Sequence, residues 1–124
     1  MKTPTPTLTP HELVIMKVVW ELGQATVREV YERLREARPI AYTTVMTMMN
    51  VLERKKHLRR RVQGRGFVYR PTRTKQQVTA VMVRDFVCRV FDGSAQPLLA
   101  HLVEDRQLTQ EDVDELARRI KEEG

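Results

Sequence analysis

Apolar residues recur every three to four positions over most of the chain, which is the spacing of helices with one buried face. The first such stretch follows a Thr-x-x-Glu capping box at residues 9–12 and runs to about Leu22, where Gly23 ends it. Its predicted inward side chains are Leu13, Met16, Val19 and Trp20. A second box, at residues 26–29, opens a helix to about Arg38, which the following proline stops.

The third helix, predicted from about Tyr42 to His57, has an unusual outer face. Its inward stripe consists of Val45, Met48, Met49 and Leu52. At about 100° per residue, the opposite stripe consists of Thr43, Thr47, Asn50 and Arg54. That face is polar and uncharged except at one end, which is basic. An ordinary surface helix instead carries a mixture of acidic and basic residues. Thr43 and Thr44 also have a structural interpretation, as caps of this helix.

After the third helix the pattern changes to that of a β-hairpin. Two short β-type runs, Leu58–Val62 and Phe67–Arg70, are separated by four residues that include Gly64 and Gly66. The two glycines supply the positive φ angles that a hairpin turn needs. Side chains alternate along the second run, so Phe67 and Tyr69 are predicted to face one way, and Val68 and Arg70 the other.

Three further helices are predicted: one from the capping box at residues 74–77 to about Asp92, a short one capped by Ser94, and a last one from the box at residues 109–112. The first is apolar on more than one side, so it must be covered on more than one side. About 50 residues form a poor core alone, and a second copy would complete it as a two-fold dimer. The predicted dimerisation residues are Val78, Val81, Met82, Phe86, Val90, Phe91, Leu98, Leu102 and Leu116.

The predicted fold is therefore mainly α with a small β-hairpin. Three helices followed by a hairpin, with a tight turn between the second and third, form an N-terminal winged helix-turn-helix domain over residues 1–73. Residues 74–124 form a three-helix C-terminal dimerisation module.

The distribution of charged residues along the chain indicates a function for this architecture. The net charge is +6, but residues 54–75 hold ten basic residues and no acid, whereas residues 94–124 hold eight acids and four bases. In helix-turn-helix proteins the second helix of the pair reads the major groove of duplex DNA, and its outer face must avoid acids. Thr, Asn and Arg are side chains that bond to bases or touch thymine methyl groups, so Thr43, Thr47, Asn50 and Arg54 are predicted to contact bases. The wing residues predicted to contact phosphates are Arg59, Arg60, Arg61, Arg65, Tyr69 and Arg70, although strand alternation lets only about two of the first three arginines do so.

Other chemistry has few candidates. Cys88 is a lone cysteine in an apolar stretch, so it forms no internal disulfide and is predicted to be a small buried residue, with a redox sensor as the alternative. The histidines lack ligand spacing, and we expect neither a metal site nor a cofactor. No nucleophile with a base, carboxylate cluster or phosphate loop is recognisable, so we expect no enzyme. Without a secretory signal or membrane span, the chain is expected to stay in the cytoplasm.

Several motifs resemble the penicillinase and methicillin-resistance repressors, the BlaI/MecI family. They are Leu8-Thr9-Pro10-x-Glu12, Val18-x-Trp20, Gly23-x-x-Thr26-Val27-Arg28-Glu29-Val30, Ala41-Tyr42-Thr43-Thr44-Val45-Met46-Thr47, Gly66-Phe67-Val68-Tyr69-Arg70-Pro71 and Phe91-Asp92-Gly93-Ser94. The resemblance covers nearly the whole chain. It implies a homodimer that represses a promoter at an inverted-repeat operator.

The resemblance also implies residue roles. It places DNA contacts at Thr43, Thr44, Met46 and Thr47 and in the wing. It further implies that a membrane sensor protease pathway triggers cleavage of an Asn-Phe bond. The positions of this chain that match that bond are His101 and Leu102. The family's asparagine is therefore absent here. Met46 replaces a basic residue of the best-known members and cannot donate to guanine, so the operator sequence is expected to differ.

Two alternatives remain open at this point. The winged helix could bind a partner protein as an interaction adaptor, which the acid-free stretch argues against. It could also bind nucleic acid, including structured RNA, without reading sequence. Salt-dependent binding to duplex DNA and comparison of specific with scrambled duplexes separate these alternatives.

Overall fold

A computed structural model describes residues 8–123 of the chain. In order, its elements are α1 (Pro10–Leu22), α2 (Val27–Arg35), α3 (Tyr42–Arg54), β1 (Leu58–Gln63), β2 (Gly66–Pro71), α4 (Lys75–Phe91), α5 (Gln96–Glu104) and α6 (Gln110–Glu123). The element order and the mainly helical class are those predicted. Within the described residues no helix is long and apolar enough to cross a membrane.

The chain forms two compact units, and the first ends at Met82 while the second begins at Val83. The first contains α1, α2, α3, the hairpin and the start of α4. Val78, on the first turns of α4, is only 2% exposed and belongs to the core of this unit, and Met82 packs against that core. The prediction that Val78 lies at a dimer interface is therefore wrong, because its side chain is already buried within one chain.

The helix starts follow from local capping. Thr9 and Thr26 each accept a hydrogen bond from the amide three residues on, and the carboxylates of Glu12 and Glu29 accept one from the cap amide. The boxes at residues 74–77 and 109–112 form in the same way. Ser94 is different: α5 starts after Ala95, which makes no side-chain cap, so the predicted Ser94 cap is wrong.

Two helices end earlier than predicted. α2 ends at Arg35 rather than about Arg38. α3 ends at Arg54 because Lys56 adopts φ +69°, and the His57 amide bonds back to the Leu52 carbonyl at 2.9 Å. This is a Schellman ending with lysine where glycine is usual, so the sequence carried no glycine signal for it.

The core of the first unit is apolar, with one ion pair at its edge in which only the carboxylate is buried. Its fully buried side chains include Ile15, Met16, Val19, Val30, Val45, Met49 and Leu52, whereas Leu13 and Trp20 are only partly buried. Glu12, 6% exposed, receives hydrogen bonds from Lys55 Nζ at 2.9 and 3.0 Å. Burial alone would raise the pKa of Glu12, but the bonds from Lys55 and Thr9 outweigh it and lower the pKa below 4.5.

Replacing Glu12 by glutamine is expected to lower the free energy of unfolding by about 1 to 2 kcal/mol at pH 7, because the charged bond to Lys55 is lost while the cap amide keeps an acceptor. A carboxyl group with a lowered folded-state pKa stabilises above its unfolded pKa, so this difference should vanish as the pH falls below about 4.5. Urea unfolding of E12Q, with E36Q at an exposed glutamate as the control, measures it. Equal stability of both variants at pH 7 would contradict the expectation.

The hairpin is longer and its turn tighter than predicted. The strands pair antiparallel from Leu58 with Pro71 to Gln63 with Gly66, so the turn is the two residues Gly64 and Arg65. Gly64 has φ +61°, but Gly66 lies in the strand with a negative φ, so only one of the two glycines serves the predicted purpose.

The second unit consists of the end of α4 together with α5 and α6. Between residues 83 and 123 no side chain is fully buried. Cys88 is exposed, so its predicted burial is wrong for a single chain. The cause is general to this unit, because three helices of this length cannot cover the apolar sides of one another.

Candidate nucleic-acid interface

The outer face of α3 is built as the helical spacing predicts. Thr43, Thr47 and Arg54 are exposed, opposite the buried Val45 and Met49. Among the predicted base-contacting residues, Thr44 and Met46 are also exposed, on the two flanks of that face. No described acidic side chain is paired with this surface.

The N-terminus of α3 is uncapped. Its N-cap residue is Ala41, which has no side-chain oxygen, and neither Thr43 nor Thr44 supplies a cap bond. The interpretation of these threonines as caps is therefore wrong. The first amides of α3 lack an intrahelical acceptor, and such amides, together with the helix dipole, attract phosphate oxygens.

Asn50 and Tyr69 are the two predicted DNA-contact residues that are not fully exposed. Asn50 is half-buried on the wing side of α3, and its Oδ1 accepts a hydrogen bond from the Tyr69 hydroxyl at 2.9 Å. Tyr69 is 2% exposed, so it is not a surface contact of the wing. Its prediction as a phosphate contact is corrected: it lies in the core, where its backbone amide and carbonyl bond to Ala25 and its neighbour on the other side is Arg60 of β1.

The register of the hairpin divides its arginines between two faces. Arg59 lies directly opposite Arg70, on the face shared with Arg61. Like charges opposite each other repel, so this face is more stable with an anion between them. Arg60 lies on the other face, where its guanidinium stacks over the Phe67 ring at 4.3 Å. As alternation requires, the three consecutive arginines do not share a face.

Almost none of the basic tract is neutralised by carboxylates of the described residues. Within residues 8–123, Lys55 is the only one of the ten basic residues from Arg54 to Lys75 that pairs with a carboxylate. The arginines of α2 differ, because Arg28, Arg33 and Arg35 all pair with glutamates. Arg65 is exposed in the turn at the tip of the hairpin. The tract therefore presents a concentrated positive potential beside the outer face of α3.

A cleft of about 300 Å³ lies between α2, α3 and the hairpin. It is lined by Thr26, Val27, Arg28, Tyr42, Met46, Asn50, Arg60, Gly66, Phe67 and Tyr69. Sequence reasoning missed Arg28, whose guanidinium lies 5.3 Å from the centre of the Tyr42 ring, and Phe67. The position of Arg28 in the first turn after the Thr26 cap was the available signal, since that turn faces the start of α3.

The second unit presents apolar rather than basic surface. Its exposed large side chains are Val83, Phe86, Val90, Leu99, Val103, Val113, Leu116 and Ile120, the last at 72%. Of the other predicted dimerisation residues, Phe91, Leu98 and Leu102 are half-buried here, while Val81 and Met82 are half-buried in the first unit. This much exposed apolar surface is typical of an interface between proteins.

The positions matching the family's cleavage bond lie inside α5. His101 is exposed, with its ring 5.9 Å from that of Phe91, and Leu102 is half-buried. The Leu102 carbonyl accepts hydrogen bonds from the amides of Gln107 and Leu108, which close the end of the helix. Among the described residues, no group of three or more His, Cys, Asp or Glu side chains could hold a metal ion.

The chain is similar to a known repressor and to a known transcriptional regulator over most of its length. It is 28% identical over 117 residues to a penicillinase repressor of Bacillus licheniformis, which covers 94% of this chain and 91% of that protein. It is 32% identical over 113 residues to the transcriptional regulator BlaI of Mycobacterium tuberculosis, covering 90% of this chain and 80% of that one.

Among solved structures, the fold matches the monomeric form of Bacillus licheniformis BlaI in complex with the blaP half-operator. The TM-score is 0.51 at 30% identity, covering 59% of this chain and 89% of that one. The predicted winged helix is thus confirmed. The family profile described as penicillinase repressor matches residues 8–122, so the chain belongs to the penicillinase repressor family.

Proposed function

We propose that this protein is a transcriptional repressor that binds an inverted-repeat operator in duplex DNA as a homodimer. The observation that carries the proposal is the pairing of an acid-free polar face on α3 with a neighbouring hairpin whose basic residues have no described carboxylate partner. Duplex DNA offers the matching anions, and the exposed Thr43, Thr47 and Arg54 offer groups that read base edges.

Dimerisation is proposed through the second unit. Its side chains are at best half-buried in one chain, and its exposed apolar residues recur on all three helices. A second copy related by a two-fold axis would bury this surface and bring two α3 helices to two half-sites of the operator. Family membership supports the proposal, since one relative is named as a penicillinase repressor and another as a transcriptional regulator.

Release is proposed to act on the same unit. Any loss of α4, α5 or α6 packing would separate the two DNA-binding units and reduce affinity. Cleavage between His101 and Leu102 would require α5 to unfold locally, because proteases act on opened segments. A membrane sensor protease pathway stays a prediction from the family resemblance, and a cytoplasmic location stays a prediction from the sequence pattern.

Selection from a randomised duplex library tests the proposal. The purified full-length chain is expected to enrich an inverted repeat whose half-sites lie about one helical turn apart. Enrichment of unrelated sequences would indicate a non-specific nucleic-acid-binding protein. Failure to retain any duplex at low salt would contradict DNA binding and favour the interaction adaptor.

Arg54 and Arg65 are expected to contribute differently to binding. Arg54→Ala should lower affinity for the selected operator by about 5- to 100-fold and weaken discrimination against altered bases, because Arg54 lies on the outer face of α3. Arg65→Ala should lower the binding affinity for all duplexes about equally. It should also reduce the slope of log K against log salt concentration by about 1. Fluorescence anisotropy over a salt series measures both. Identical specificity profiles of the two variants would contradict these assignments.

A further inference from the structure

Tyr69 is held in place by two backbone hydrogen bonds to Ala25 and by burial of its side chain. Its amide donates to the Ala25 carbonyl at 2.8 Å, and its carbonyl accepts from the Ala25 amide at 2.9 Å. Its other neighbour is Arg60, on β1. The side chain is almost fully buried, so the ring cannot turn outward without breaking this packing. The position of the Tyr69 hydroxyl is therefore fixed by the fold.

That hydroxyl engages the oxygen of the Asn50 amide. It donates to Oδ1 at 2.9 Å, whereas Asn50 Nδ2 has no hydrogen-bond partner among the described residues. A freely rotating asparagine amide presents either its oxygen or its NH₂ group to a ligand. Here the oxygen is engaged, and the NH₂ group is the half that remains available on the side of α3 next to the outer face.

We propose that Tyr69 is a positioning residue that makes Asn50 a hydrogen-bond donor toward DNA, so that Asn50 selects an acceptor atom at one position of each half-operator. The inference rests on the proposed function and deepens it. In the major groove the acceptors are purine N7, guanine O6 and thymine O4, whereas cytosine N4 and adenine N6 carry donors. A donor amide next to one of those amino groups would leave both unpaired, which is the source of the selectivity.

Three variants of the full-length chain test this, each assayed on the operator selected by wild type and on its single base-pair substitutions. Asn50→Ala should abolish a preference of about 5- to 100-fold at one half-site position, the range for a good base contact. Tyr69→Phe should weaken the preference at that same position, because the amide is free to rotate. Asn50→Asp keeps an acceptor for the Tyr69 hydroxyl but lacks a donor. Its charge should lower affinity for every duplex, and among the duplexes that it still binds at low salt the preference should shift toward a base that presents an amino group.

Tyr31→Phe is the matched control, because it also removes a tyrosine hydroxyl from the first unit, and the Tyr31 hydroxyl makes no hydrogen bond to the described residues. It should leave the profile unchanged. If Tyr69→Phe lowers the melting temperature too far for a binding assay, Asn50→Asp still tests the inference, because it leaves the buried Tyr69 side chain in place. An equal loss on all duplexes for Asn50→Ala, or a wild-type profile for Tyr69→Phe, would overturn the inference. A wild-type chain with no preference among duplexes would instead overturn the proposed function.

Discussion

Val90→Glu is expected to separate the dimer into monomers and to lower operator affinity by about 100-fold or more. Val90 is half exposed in one chain, so the substitution costs little within that chain. At a two-fold interface, however, it would bury two unpaired carboxylates. Once the copies separate, the second half-site is no longer bound at the high effective concentration that linkage provides.

Sedimentation velocity at micromolar concentration and anisotropy on the full operator measure this effect. Binding to an isolated half-site should stay within about twofold of wild type, because the first unit is untouched. Gln107→Glu adds the same charge at an exposed polar site of the second unit and serves as the control. A Val90→Glu dimer would place the interface elsewhere, and a wild-type monomer on the operator would contradict dimerisation.

Thr47→Glu is expected to abolish operator binding, with a loss of at least about 100-fold, while leaving the fold intact. Thr47 is exposed at the centre of the outer face of α3, and glutamate is a better helix former than threonine. Placed against DNA, its carboxylate would meet phosphates and base acceptors, and such like-charge contacts cost several kcal/mol. The circular dichroism spectrum should not change.

Thr47→Ser is the matched control for this prediction, since it keeps the hydroxyl and removes only a methyl group. Its affinity for the operator should fall by no more than about 10-fold. The loss should be largest if Thr47 contacts the methyl group of a thymine in the operator. Affinity of Thr47→Glu within about threefold of wild type would show that the outer face of α3 does not enter the groove.

Local features of the fold were predictable because their causes are local. The Thr9 and Thr26 caps need only a partner three residues away, and the outer face of α3 follows from helical spacing alone. The end of α3 was not predictable, because Lys56 takes a left-handed conformation that glycine usually marks. There the hydrogen bond from the His57 amide outweighs the conformational preference of the residue.

Features set by distant contacts were misjudged for the same kind of reason. Alternation placed Tyr69 on the side of β2 shared with Phe67, but only the bridge to Ala25, far away in sequence, shows that this part of the strand is buried. In the sequence, Val78 is indistinguishable from the other apolar residues of α4. Its burial in the core of the first unit depends on tertiary packing. Both errors moved residues from the core to a predicted interface.

The central claim is sequence-specific DNA binding by a dimer, and one titration tests it most directly. Fluorescence anisotropy of the full-length chain would compare the selected inverted repeat with a scrambled duplex between 50 and 200 mM salt, a range over which phosphate contacts weaken steeply by orders of magnitude. We predict strong preference for the repeat, saturation at two chains per duplex, and a steep decline with salt. Equal affinity for the two duplexes at every salt concentration would contradict the claim.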